Sequence, residues 1–194
     1  MVTIAKIGTI GSGILALLSL IGYMGFIYYV IYDGAETCYA PPAECGNQSL
    51  FVGYAIAYAL ATVIGLALVT RALYELGRKY NKNNISIFAI LGFIFYLLGI
   101  VASLMLAFNF GITSGFAVLS LWLLSSGSYL VSLNSAGRES KVGFFKYSGY
   151  VLFLSVLLLP IFTVFAFLFA IQPLIGFAAW LLSYLAFNKL GESK

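Results

Sequence analysis

The chain contains no histidine, and that single absence removes several functions at once. Without imidazole there is no ordinary haem axial ligand, no copper centre and no proton-shuttling ring. Cysteine occurs only twice, and two thiolates are half of a tetrahedral zinc site. Only 8% of residues are charged, where a soluble domain carries roughly 25%. The polar remainder is a few short loops, too little for a soluble catalytic or nucleic-acid-binding domain. No catalytic, metal or cofactor-binding residues are therefore expected, and no cofactor.

What is present is apolar: 62% of residues are hydrophobic and the mean hydropathy is +1.05. Runs repeatedly exceed the ~18 residues that mark a membrane span. In lipid each run must be a helix, because a helix pairs its own backbone polar groups and leaves no edge. The expected fold is an all-α integral membrane protein, one transmembrane domain over 1–194, with about six spans. They fall near 7–32, 50–70, 85–108, 115–133, 147–170 and 173–187. The first, of 26 residues, reaches about 39 Å and should tilt in a ~30 Å core. The final stretch, Tyr147 to Phe187, is too long for one crossing. A turn is expected at Ile171-Gln172-Pro173, since proline disfavours helix in the residue before it. Pro160 kinks the fifth span rather than ending it. Five spans is the alternative.

Orientation follows from charge. In the six-span arrangement all ten basic residues face one side, and the other carries Asp33, Glu36 and Glu44. Lys and Arg concentrate in cytoplasmic loops, which predicts an N-in/C-in helical bundle in the cell membrane. Five spans would strand Lys189 and Lys194 outside. The net charge of +4 and the pI near 9.0 are explained by the same bias. The first apolar run is longer than the 7–15-residue core of a signal peptide, so an uncleaved span is expected.

Residues 33–49 form the extracytoplasmic loop, where disulfides persist. Cys38 and Cys45 flank Pro41-Pro42, and the expected bridge would stabilise by about 2–3 kcal/mol. A redox pair is the rival, although such pairs favour C-x-x-C spacing. Asn47-Gln48-Ser49 is a glycosylation sequon on the correct side, close enough to the next span to leave its use open. A second sequon, at Asn84, lies on the predicted inside and should stay bare.

All sixteen charged residues sit at span ends or in loops, so no buried carboxylate marks an ion path. Small residues recur every fourth position: Gly8, Ser12 and Ala16 in the first span, and Gly53, Ala57, Ala61 and Gly65 in the second. That spacing lets helices approach closely. Ser125, Ser128 and Ser132 share one flank of the fourth span, as a candidate polar lining or as helix-to-helix hydrogen bonds. Arg71, Arg78, Lys79 and Lys82 form a basic cluster suited to anionic lipid or a partner. Arg71 and Glu75 are spaced for an i,i+4 ion pair. Residues 85–100 and 142–157 also echo one another, each an aromatic-rich span after a basic loop, as a duplicated hairpin would.

The stretches "IGTIGSGILALLSLIG" (7–22) and "RALYELGRKYNKNNISIFAILGFIFYLLGIV" (71–101) resemble archaeal multispan membrane proteins of the DUF996 type over about the first half of the chain. The resemblance implies a membrane fold and carries no activity or functional residues. The cysteine loop is not part of that pattern. The functional expectation is a non-enzymatic accessory or scaffold subunit, or a small homo-oligomer, whose partners are the bilayer, other membrane subunits or itself, and no nucleic acid. A transporter or channel for a small neutral or lipid-like solute is the alternative.

Overall fold

The computed structural model describes residues 3–11, 13–14, 48–108, 112–158 and 171–192, and these are helical throughout apart from short turns. In chain order the helices are α1 (3–11 and 13–14), α2 (Gln48–Lys79), α3 (Asn83–Phe108), α4 (Ile112–Ser140), α5 (Gly143–Leu157) and α6 (Ile171–Glu192). Among the described residues, three segments are long and apolar enough to cross a membrane: Asn83–Ser103, Phe116–Ser140 and Leu174–Glu192. Cys38, Cys45, Asn47, Ser12 and Ala16 lie outside the described residues. So do the side chains of Gly53, Ala57 and Ala61 on α2.

The helices run further than hydropathy suggested. Residues 71–84, expected as a loop, are helical except at 80–82, and of 134–146 only 141–142 leave the helix. Hydropathy marks the stretch that suits hydrocarbon, whereas a helix continues while its residues favour it. The Ala, Leu, Glu, Arg and Lys of "RALYELGRK" do so. At the other doubtful boundary, α6 already begins at Ile171, with Pro173 in its first turn. There the missing N–H has no intrahelical partner to lose.

Each helix packs beside its neighbours in sequence from α2 to α6. α1 packs against both α2 and α6. A Cβ placed on Gly8 would lie 2.8 Å from Leu68 Cβ and 3.1 Å from the Gly65 carbonyl oxygen, and one on Gly13 would lie 3.6 Å from Trp180 Cβ. Lys6 also donates to Asn188 Oδ1 on α6. The turn-bearing end buries large apolar side chains such as Leu73, Leu76, Ile85, Phe145 and Phe187, but further along the helices the arrangement is the reverse of a soluble bundle. Ile87, Ile90, Ile94, Leu98 and Val101 on α3 are exposed, while Ser86, Ala89 and Gly92 are buried. The same holds on α5, where Leu154 and Leu157 face out and Ser148, Gly149 and Ser155 face in. Large apolar side chains outside and small or hydroxyl side chains inside suit a lipid environment.

Three helix ends are built alike: "LYELGR" (73–78), "LNSAGR" (133–138) and "FNKLGE" (187–192). The buried positions coincide as Val69, Ala72, Leu73 and Leu76; Tyr129, Ser132, Leu133 and Ala136; and Ser183, Ala186, Phe187 and Leu190. The helices α1, α3 and α5 match too, burying Ala5 with Thr9, Ile85 with Ala89, and Phe145 with Gly149. Gly77 is followed by a left-handed Asn81 (φ 53°), Gly137 by a left-handed Lys141 (φ 59°). A Cβ on Gly77 would meet the Lys82 carbonyl and the Ser86 amide, and one on Gly137 the Val142 carbonyl and the Lys146 amide. The two turns therefore correspond position by position with an offset of 60 residues. The echo noted between 85–100 and 142–157 pairs Ile85 with Val142, whereas the turn correspondence pairs Ile85 with Phe145. Aromatic content slides freely along a span, whereas the glycine and the left-handed residue allow one register only.

The first of these turns closes α2 as a Schellman motif, with the Lys82 amide bonding the Gly77 carbonyl at 2.8 Å and the Asn81 amide bonding that of Arg78 at 3.2 Å. Gly8→Ala should destabilise the bundle by about 1–3 kcal/mol through overpacking against α2. Gly11→Ala, whose Cβ would meet nothing within 4 Å, should be neutral or slightly stabilising. Thermal unfolding of both variants in mild detergent checks the pair.

Candidate functional site

Within the bundle the polar groups worth attention are hydroxyls, because no charged side chain is buried among the described residues. Ser125 and Ser132 project from α4 toward α3. They donate to the carbonyls of Gly92 and Ile85, each at 2.8 Å. A step of seven residues along α4 is matched by a step of seven back along α3, the spacing of two antiparallel helices in continuous contact. Gly92 permits the approach, since a Cβ there would stand 3.2 Å from the Ser125 carbonyl oxygen and 2.9 Å from the Tyr129 ring.

Ser128, expected on the same flank, bonds the Leu124 carbonyl of its own helix at 2.7 Å. Ser126 likewise turns back to Leu123. The three serines therefore divide: two reach the neighbouring helix and one does not. None of the three points an unused hydroxyl into a space.

Other hydroxyls tie the remaining helices. Thr70 on α2 and Tyr129 on α4 share a buried hydrogen bond of 2.6 Å, joining two helices that flank α3. Ser86 at the start of α3 donates to the Tyr74 carbonyl of α2 at 3.1 Å. Ser148 on α5 donates to the Ala179 carbonyl of α6 at 2.9 Å and also meets the Ser183 hydroxyl. Sequence reasoning missed Thr70, Tyr129, Ser86, Ser148 and Ser183. Of these only Tyr129 and Ser183 fall at matching positions, 54 residues apart, so the sequence pattern offered little signal for the rest. Two buried atoms have no partner among the described residues: the Trp122 indole Nε1 and Asn134 Oδ1. The Trp122 ring fills the space that a side chain on Gly99 would take.

The second feature is one end of the bundle. The close of α2, the start of α3, the close of α4, the start of α5 and the close of α6 all meet there. Lys82 pairs with Glu139 at 3.3 Å across the two turns. Lys189 lies 5.8 Å over the Phe144 ring, and Phe145 meets Phe187 edge-on at 4.9 Å. Arg71 pairs with Glu75 at 3.3 Å on the exposed face of α2. Arg78, Lys79 and Lys82 therefore stand beside Arg138, Lys141 and Lys146, all exposed. The sequence grouped the first three; their neighbours from the second turn come from the fold.

Among the described residues no cluster of three His, Cys, Asp or Glu could hold a metal ion. Comparison of the chain with protein-family models, with curated proteins and with solved structures found no match.

The Thr70–Tyr129 bond offers a direct measure of what a buried hydroxyl contributes. In a double-mutant cycle of Thr70→Val and Tyr129→Phe, read by unfolding in detergent, the coupling should be about 0.6–1.7 kcal/mol. Ser128→Ala, which breaks only a bond within α4, should cost less than Ser132→Ala.

Proposed function

We propose that the chain is a non-enzymatic membrane protein of six spans, with both termini and the basic residues on the cytoplasmic side, whose role is association. It acts as an accessory or scaffold subunit of a membrane complex, or assembles with itself. In this reading the 33–49 loop lies outside, closed by a Cys38–Cys45 bridge.

One observation carries the reading. The described interior hydroxyls are consumed by carbonyls or by one another: Ser125 by Gly92, Ser132 by Ile85, Thr70 by Tyr129, Ser148 by Ala179. A solute path needs polar groups that are free to exchange partners, and a catalyst needs a nucleophile beside a base. The exterior, by contrast, presents Ile or Leu side chains on every described helix, a surface that suits lipid and equally other spans.

Transport of a small neutral or lipid-like solute is the second reading. The observation favouring it is the 60-residue correspondence of the two turns, because internal repeats recur in transporter folds. Purification in mild detergent separates the two. Association predicts a stoichiometric partner, or a mass that is a multiple of the 21.0 kDa chain. A monodisperse single chain that moves solute in liposomes would overturn it.

A further inference from the structure

The cations at the turn-bearing end are more than a topology signal. We infer that the paired turns, 80–82 and 141–142, form a docking surface for the headgroups of anionic phospholipid, with Arg78 and Arg138 as equivalent anchors. The inference rests on the membrane reading and goes beyond the proposed role in association.

Four observations support it. First, six cations from two separate turns are brought together: Arg78, Lys79, Lys82, Arg138, Lys141 and Lys146, all exposed. The acid between them, Glu139, is held by Lys82, so the surface keeps a strong positive excess. Second, the arginines occupy one structural position twice, each directly after a buried glycine and three residues before a left-handed turn residue. Third, the fold does not need a cation there. The third copy of the motif ends in Gly191-Glu192, and its helix closes with an acid in the arginine's place. A cation in the last turn of a helix is favoured by the dipole; α6 meets that preference with Lys189, so the dipole does not require a cation at the arginine's position.

Fourth, each turn leads directly into an exposed apolar column. Beyond Lys146 the outer face of α5 is Tyr147, Tyr150, Leu154 and Leu157, between 45% and 60% exposed. Lys146 lies 6.0 Å over the Tyr150 ring, at the junction of charge and apolar surface. Beyond Lys82 the outer face of α3 is Ile87, Ile90, Ile94 and Leu98. A cationic cap continuous with an apolar stripe matches an amphiphile: phosphate at the turn, acyl chain along the helix. A soluble acidic polypeptide or a nucleic acid would satisfy the cap and leave the stripe bare.

The surface is tested in nanodiscs made from equal parts phosphatidylcholine and phosphatidylglycerol, with the lipids retained by the protein identified by native mass spectrometry. Wild-type protein should retain phosphatidylglycerol in excess, and Arg78→Gln/Arg138→Gln should lower that enrichment at least about fivefold. Arg71→Gln, about two turns back along α2 from Arg78 and already paired with Glu75, should leave it unchanged. Should the double variant fail to fold, wild-type protein alone decides. Its enrichment must collapse as salt is raised toward 1 M, where the Debye length is about 3 Å. No enrichment in wild-type protein, or equal enrichment in the folded variant, overturns the inference while leaving the membrane reading standing. Failure of the wild-type chain to enter the nanodisc at all overturns both.

Discussion

Hydroxyl-to-carbonyl bonds between helices are the interaction on which the rest of this structure depends. A serine can reach the backbone of a neighbouring helix only if the two helices nearly touch, so each such bond fixes distance and register together. Ser125 to Gly92 and Ser132 to Ile85 do this at two points seven residues apart. An apolar exterior makes these bonds necessary. Where Ile and Leu already face an apolar medium, moving them inward gains nothing, and packing and hydrogen bonds must hold the helices together. Small residues on the inner faces follow from this: Gly8 against Gly65, Gly92 against Ser125 and Tyr129.

The same constraint shapes the turns. Helices that approach so closely need short, rigid connections, and two of them use one solution. A buried glycine sits in the last turn of the helix, a left-handed residue four positions on reverses the chain, and the next helix begins two residues later. Burial then repeats from unit to unit, with Leu73, Leu133 and Phe187 at one level and Ala5, Ile85 and Phe145 at another. From Ile85 to Gly137 is 52 residues, but from Ala5 to Gly77 is 72. The interval from Ala5 is therefore the longer by 20 residues.

Much of this was legible in the sequence. The apolar content announced helices, and the grouping of Arg78, Lys79 and Lys82 in sequence is kept at the turn that closes α2. Arg71 and Glu75 were spaced to meet and do so. The rest was hidden for identifiable reasons. Helix ends lay beyond the reach of hydropathy, because "LYELGRK" is polar yet strongly helical. The partner of a serine was unreadable, because a backbone carbonyl has no letter of its own. For that reason Ser128 looked identical to Ser125 and Ser132, although it bonds its own helix. The repeat was visible only in the wrong register, since "Leu-x-x-x-Gly-Arg" is brief and the surrounding apolar sequence aligns almost anywhere.

The central claim is that the outward faces of these helices meet lipid while the hydroxyl-bearing faces meet one another. A diazirine-bearing phospholipid, photolysed around the reconstituted protein and mapped to single residues, tests it most directly. Label should fall on Ile87, Ile90, Ile94, Leu98 and Val101 of α3 and on Leu154 and Leu157 of α5, sparing Ser86, Ala89, Gly92 and Ser148. Label concentrated on the second group, or none on either helix, would contradict the account.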